Sequence, residues 1–259
     1  SCCSAIWPRR TRATRRRGVN TAFVQFRIID EANETDPTQY EGDFWGLYLA
    51  LEQVNGRFLE ERGLPDSNMY KMEGGTGDLN NDGPYGPTDK SDLNFVLNNY
   101  TGASEAWWRT NWDLAKYYSY QTIIQAIHHY DINFDKNFFY YTNTATRKWE
   151  VFCWDLDLTW GHNMYDPPSG GNNALATRIL NVTVVAGAGS QAGTSNIRLS
   201  GARPAFDMEF RTRIREIRDL LFNTDQAWRL IDEYAGLVLE TNNAPGIIDA
   251  DRSQWDYNP

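Results

Sequence analysis

Hydrophobic and polar positions along the chain divide it into a strand-bearing first half and a helical end. Thr21–Ile29 (TAFVQFRII) mixes β-branched and aromatic residues in partial alternation and predicts a strand. The run Phe44–Leu51 is apolar and leads into Glu52–Arg62, where Val54, Phe58 and Leu59 carry helical spacing that stops at Gly63. Asn68–Met72 predicts a short strand, and the Gly-, Asn- and Asp-rich stretch from Glu73 to Lys90 reads as a loop. Ser91–Tyr100 and Asn111–Tyr130 predict helices, the second with Leu114, Tyr117, Tyr120, Ile124 and Ile127 on a 3.6-residue rhythm.

Phe138–Tyr141 and Trp149–Trp154 then read as two strands of a hairpin around TNTATRK. Small residues and glycine dominate Pro167–Gly201, an insertion. Two amphipathic helices follow, at Phe206–Phe222 and Asp225–Leu239. The class this order predicts is α+β.

Charge narrows the partners. The net charge of −9 disfavours non-specific nucleic-acid binding. Six of the 25 basic residues are arginines within residues 1–18, a stretch without acids that reads as a disordered leader. No run of 18 apolar residues is present to span a membrane. Three cysteines make no disulfide framework, and Cys153, inside an apolar run, reads as a small buried hydrophobe. Asn33, Asn99 and Asn181 open glycosylation sequons, which matter only to a secreted chain.

The densest chemistry lies between Asp131 and Gly161. A hairpin turning about Ala145–Thr146 would set Asn137 opposite Asp155, with Asp131 and Asp135 in the entering loop. An asparagine and several carboxylates at one hairpin end suit phosphoryl transfer. Hard oxygens hold a divalent cation against phosphates, and a further carboxylate takes the proton of the attacking hydroxyl. Upstream, Glu52 at the start of the helix and Lys71 on a strand form a candidate pair in which the lysine grips phosphate.

Asp78, Asn80 and Asp82, followed by Gly83, match the opening of a calcium-binding loop, with Asp89 at the twelfth position. Pro84 and the lack of a flanking helix leave a plain polar turn as the alternative reading. His128–His129 lacks further ligands and reads as a packing or surface feature. Abundant tryptophan with paired acids also allows a carbohydrate-active enzyme, though the hairpin asparagine fits metal–phosphate chemistry better.

GLYLALEQVNGRFLEERG, NMYK and DKNFFYYTNTATRKWEVFCWDLDLTWG together resemble the CotH family of spore-coat and cell-surface proteins, over roughly residues 44–161. Asn55 and Trp160 depart from the usual pattern, which has an acid and Phe there. The resemblance implies a two-lobed, atypical protein-kinase-like fold that phosphorylates protein with ATP and Mg²⁺ or Mn²⁺. On that analogy Lys71 holds phosphates and Glu52 orients it. Asp131 is the base, with Asp135 as its competitor, and Asn137 and Asp155 are metal ligands. Asp157 either binds metal or orients Asp155. Residues 1–18 would be the leader, 19–75 an incomplete upper lobe and 76–259 a largely helical lower lobe. An extracellular, coat or cell-surface location is expected by the same analogy. The rival expectation is a non-catalytic coat or surface protein of this fold carrying a calcium site.

Overall fold

The computed structural model describes residues 18–28, 44–73, 76–100, 102–127, 136–157, 159, 204–239 and 246–255. The architecture is α+β with antiparallel sheets. Strand β1 (Thr21–Arg27) pairs with β2 (Phe44–Leu51) as a separate two-stranded ribbon. Its alternating apolar residues lie open on both faces, Phe23 and Leu49 on one and Phe26 and Tyr48 on the other.

Glu52 does not open a helix. The chain takes no regular structure from Glu52 to Val54, and helix α1 (Gly56–Glu61) begins only after Asn55, which is extended. The Asn55 side-chain oxygen accepts hydrogen bonds from the Arg57 and Phe58 amides at 3.0 and 3.2 Å. Asparagine caps helices as well as aspartate does, which accounts for the departure from the family pattern. Gly63, at φ 61°, ends the segment in the left-handed conformation that glycine adopts without strain.

Strand β3 (Met69–Glu73) is followed by β4 (Thr76–Asn81), a strand inside the stretch expected as loop. With β5 (Phe138–Asn143) and β6 (Lys148–Cys153) they form one sheet in the order β4-β3-β5-β6. The lobe boundary expected at residues 75/76 therefore cuts the β3–β4 hairpin, and one sheet draws strands from both sides of it. β4 escaped the sequence pattern because TGDLNN is an edge strand with Leu79 as its single large apolar residue.

Both faces of this sheet are covered. On one, Met69, Phe139, Tyr141 and Phe152 pack with Val54, Phe58, Leu59 and Leu64. On the other, Tyr70, Met72, Phe138, Tyr140, Trp149 and Val151 meet helices α2 (Ser91–Asn99), α3 (Glu105–Asn111) and α4 (Leu114–Ala126). Trp108, Trp112 and Trp149 belong to this core, Trp112 standing edge-on to Tyr140 at 5.2 Å. These rings fill the interior and do not form a sugar platform. Helix α5 (Pro204–Leu220) adds Phe206 and Phe210 to the same core, while Ile217 joins Ile123 and Ile127.

Helix α6 (Thr224–Ala235) buries no residue, and α7 (Ile247–Trp255) docks on β2. There Asp251 accepts the Leu47 amide at 2.7 Å and the Trp255 indole donates to the Trp45 carbonyl at 2.9 Å. Among the described residues no helix is long and apolar enough to cross a membrane. Cys153 is half-buried and disulfide-bonded, which corrects the reading of it as a small buried hydrophobe. The basic leader to residue 17, His128–His129, Trp160 and the insertion Pro167–Gly201 lie outside the described residues, as do Asn33 and Asn181.

Candidate functional site

The hairpin that carries the site turns about Ala145–Thr146, as the sequence suggested, but its facing pairs are one residue off the expected register. Its register pairs Phe138 with Cys153 and Asn143 with Lys148. The Asn143 side chain accepts the Ala145 and Thr146 amides at 3.1 and 3.3 Å, and its carbonyl accepts the Arg147 amide at 2.7 Å. Arg147 closes the turn at φ 58°. This four-residue connection puts Trp154, not Asp155, opposite Asn137. The Trp154 amide donates to the Asn137 carbonyl at 3.2 Å, and Asp155 follows as the first residue past that bond.

Asn137 and Asp155 both carry left-handed backbones, at φ 67° and 52°. Asn and Asp adopt this region more readily than other side chains, yet each such residue costs on the order of 1–3 kcal/mol and persists only where its surroundings impose it. Asn137 is buried, whereas Asp155 and Asp157 are exposed. The Thr159 amide bonds the Asp157 carbonyl at 3.1 Å and Thr159 is buried, which fixes the exit of the segment.

Lys71 comes to the same sheet. It lies across from Phe139, two residues in from Asn137, on the adjoining strand. Its ammonium is 3.8 Å from Glu73, and both side chains are largely solvated. Glu52 is elsewhere. It receives two hydrogen bonds from Arg62, at 2.9 and 2.6 Å, and one from the Asn20 amide at 2.9 Å. Burial alone would raise the Glu52 carboxyl; the Arg62 and Asn20 bonds outweigh it and hold the group below its ordinary value. Arg62 in turn stacks on Phe58 and bonds the Phe58 and Gly18 carbonyls. The expected Lys71–Glu52 pair is therefore not formed. Arg62, at the C-terminal cap of α1, was the better partner to read from the sequence, ten residues on across a short helix.

The calcium-loop reading meets a similar correction. Asp78 and Asn80 lie in β4, where alternate residues stand about 7 Å apart along the strand. An extended strand does not wrap one cation. Asp78 pairs with Lys90 at 3.3 Å, the Asn80 amide donates to the Val54 carbonyl, and Asp89 accepts the Ser91 amide at 3.0 Å. Asp82 follows the strand at Gly83, whose amide donates to the Asn68 side chain at 3.0 Å. Asn68 also bonds Tyr70 and the Pro87 carbonyl, and Tyr70 donates to Asp92 at 2.5 Å. A Cβ on Gly83 would lie 2.3 Å from the Ser67 Cα, so glycine serves backbone packing here.

Asp131 and Asp135, the two candidates for base, lie outside the described residues. Among the described residues no three His, Cys, Asp or Glu cluster as a metal site. What the hairpin end offers is one amide and two carboxylates, all hard oxygen donors. Magnesium keeps several waters and takes only one or two carboxylates from protein, so this donor set fits it.

No curated protein matches this sequence. A family model described as CotH kinase protein matches residues 17–256, nearly the whole chain. The match runs through both sheets, the strained hairpin end and the closing helices, and the chain belongs to the CotH kinase family.

Proposed function

We propose that this protein is a kinase-like phosphotransferase that passes the terminal phosphoryl group of ATP to a protein hydroxyl. The observation that supports the reading best is the pair of left-handed residues, Asn137 and Asp155, bracketing the end of the β5–β6 ladder within a family named for kinase activity. Asn137, Asp155 and Asp157 would hold Mg²⁺ or Mn²⁺, which neutralises phosphate charge when bound. Lys71 reaches the phosphates from the adjoining strand, with Glu73 beside it in the place expected for Glu52. Asp131 or Asp135 takes the hydroxyl proton.

One observation favours a second reading, a non-catalytic coat or surface member. Glu52 is committed to Arg62, so the lysine–glutamate pair that aligns phosphates in protein kinases is not assembled from the residues expected. Calorimetry with ATP, with and without Mn²⁺, on the native chain and on Asp155→Ala decides between them. Metal-dependent binding lost in Asp155→Ala supports the nucleotide site, and transfer of labelled phosphate to a generic protein acceptor then tests catalysis. No binding at millimolar ATP leaves the non-catalytic reading.

A further inference from the structure

β6 forms one edge of the four-stranded sheet, and half of that edge is already in use. Trp112 makes a parallel bridge with Trp149, and the Asp113 amide donates to the Trp149 carbonyl at 3.0 Å. The chain then leaves the sheet at once, because Leu114 begins α4. Along an antiparallel strand, successive residues turn their backbone polar groups to opposite neighbours. Trp149 addresses the outer side, so Val151 does as well. Trp154, whose amide bonds Asn137 of the hairpin partner, falls on the inner alternation, as this requires.

Beside Val151 lies a cleft of about 1070 Å³, walled by α4, α5 and the Val151–Cys153 half of β6. Phe152 lines it although its ring packs on the opposite face of the sheet with Phe58 and Tyr141, so it presents main chain to the cleft. Among the described residues nothing pairs with this edge at Val151, and an open strand edge at the wall of a trough is a template for another strand.

Two side chains define the chemistry of what would fit. Tyr120 lines the cleft and is buried, and its hydroxyl has no hydrogen-bond partner among the described residues. A buried hydroxyl in that state awaits an acceptor such as a peptide carbonyl. The lining cations Arg109, Lys116 and Arg213 are engaged by Glu209, Glu150 and Glu216. Lys148 has no carboxylate partner among the described residues. Leu114, Ile123, Val151 and Met208 supply apolar walls.

We propose that this cleft docks an extended peptide segment of a partner protein, added as a strand to β6 at Val151. Its aliphatic side chains lie in the trough, a backbone carbonyl meets Tyr120, and an acidic residue pairs with Lys148. The docking does not depend on phosphoryl transfer; a catalytic and a non-catalytic protein would both use it.

Two measurements test this. Amide hydrogen exchange on the native chain reads Val151 directly: its amide exchanges freely alone and slows when peptide is added. Fluorescence anisotropy then uses two labelled, end-capped octapeptides of alternating valine and threonine, one ending in aspartate and one in lysine. The aspartate peptide binds more tightly, and Lys148→Glu reverses that order. Val151→Pro removes the outward N–H, a change tolerated at strand edges, along with part of a buried side chain, and weakens binding about fivefold, as does Tyr120→Phe. Circular dichroism shows that the variants fold. A Val151 amide already protected in the free protein overturns the proposal. So does absence of binding by both peptides at millimolar concentration, or binding that all three substitutions leave unchanged.

Discussion

Asn137 and Asp155 hold left-handed backbones on either side of one hydrogen bond, the Trp154 amide to the Asn137 carbonyl, that closes the β5–β6 ladder. Two residues in an unfavourable region at one hairpin end mark a place where the surrounding structure imposes the backbone conformation. Asp155→Gly separates the part of the backbone from that of the carboxylate. Glycine takes a φ of 52° without a Cβ clash, and Asp155 is exposed. Urea denaturation should show stability unchanged or raised by up to about 1 kcal/mol, while calorimetry shows metal-dependent ATP binding lost.

Lys71 and Glu52 should behave independently, because one shares a sheet with the hairpin and the other braces Arg62. Lys71→Ala should weaken ATP binding about tenfold, the loss of one charge-assisted contact. Glu52→Gln should change it less than about twofold. Titrating ATP into each variant checks both, and a large effect of Glu52→Gln on affinity would restore the abandoned pair.

Glu52 does carry a pH dependence of stability. Its carboxyl is held below the ordinary glutamate value of 4.5, burial being outweighed by Arg62 and the Asn20 amide. A lowered folded pKa stabilises the fold above the unfolded value, and that contribution is lost as pH falls through the folded one. The stability gap between the native chain and Glu52→Gln should therefore be full at neutral pH and close as the solution is acidified below 4.5. Denaturation midpoints measured from neutral to acid pH give the comparison.

Glu150 offers a test of the core. Its carboxylate is fully buried and accepts from Lys116 at 2.5 Å and from Asn143 at 2.8 Å. Removing the carboxylate strands the buried Asn143 amide, while Lys116 keeps Asp113 at 2.8 Å. Glu150→Ala should cost about 2 kcal/mol, and Glu150→Gln less, since the amide oxygen still accepts from Asn143. Thermal unfolding of both variants reads the difference.

Local chemistry made much of this protein legible from its residues. The apolar alternation of β1 and β2, the NMYK strand, the 3.6-residue rhythm of α4 and the two halves of the hairpin all follow from period and turn residues over a few neighbours. So does the placing of Asn137 and Asp155 at one hairpin end, since few registers are open to a short connection. The turn itself was settled by Asn143, whose side chain and carbonyl bond the loop amides and shift the pairing by one residue.

Contacts distant in sequence were decided only by the tertiary structure. β4 is a strand because β3 gives it hydrogen bonds, not because TGDLNN prefers extension. That pairing straightens Asp78 and Asn80 out of a cation loop. Likewise Glu52 chose Arg62 over Lys71 because the stretch before α1 and the end of that helix bring their side chains together. A carboxylate binds whichever cation the fold delivers, and the fold is set by the burial of Met69, Phe139 and Phe58 against one another, which no charge pattern encodes.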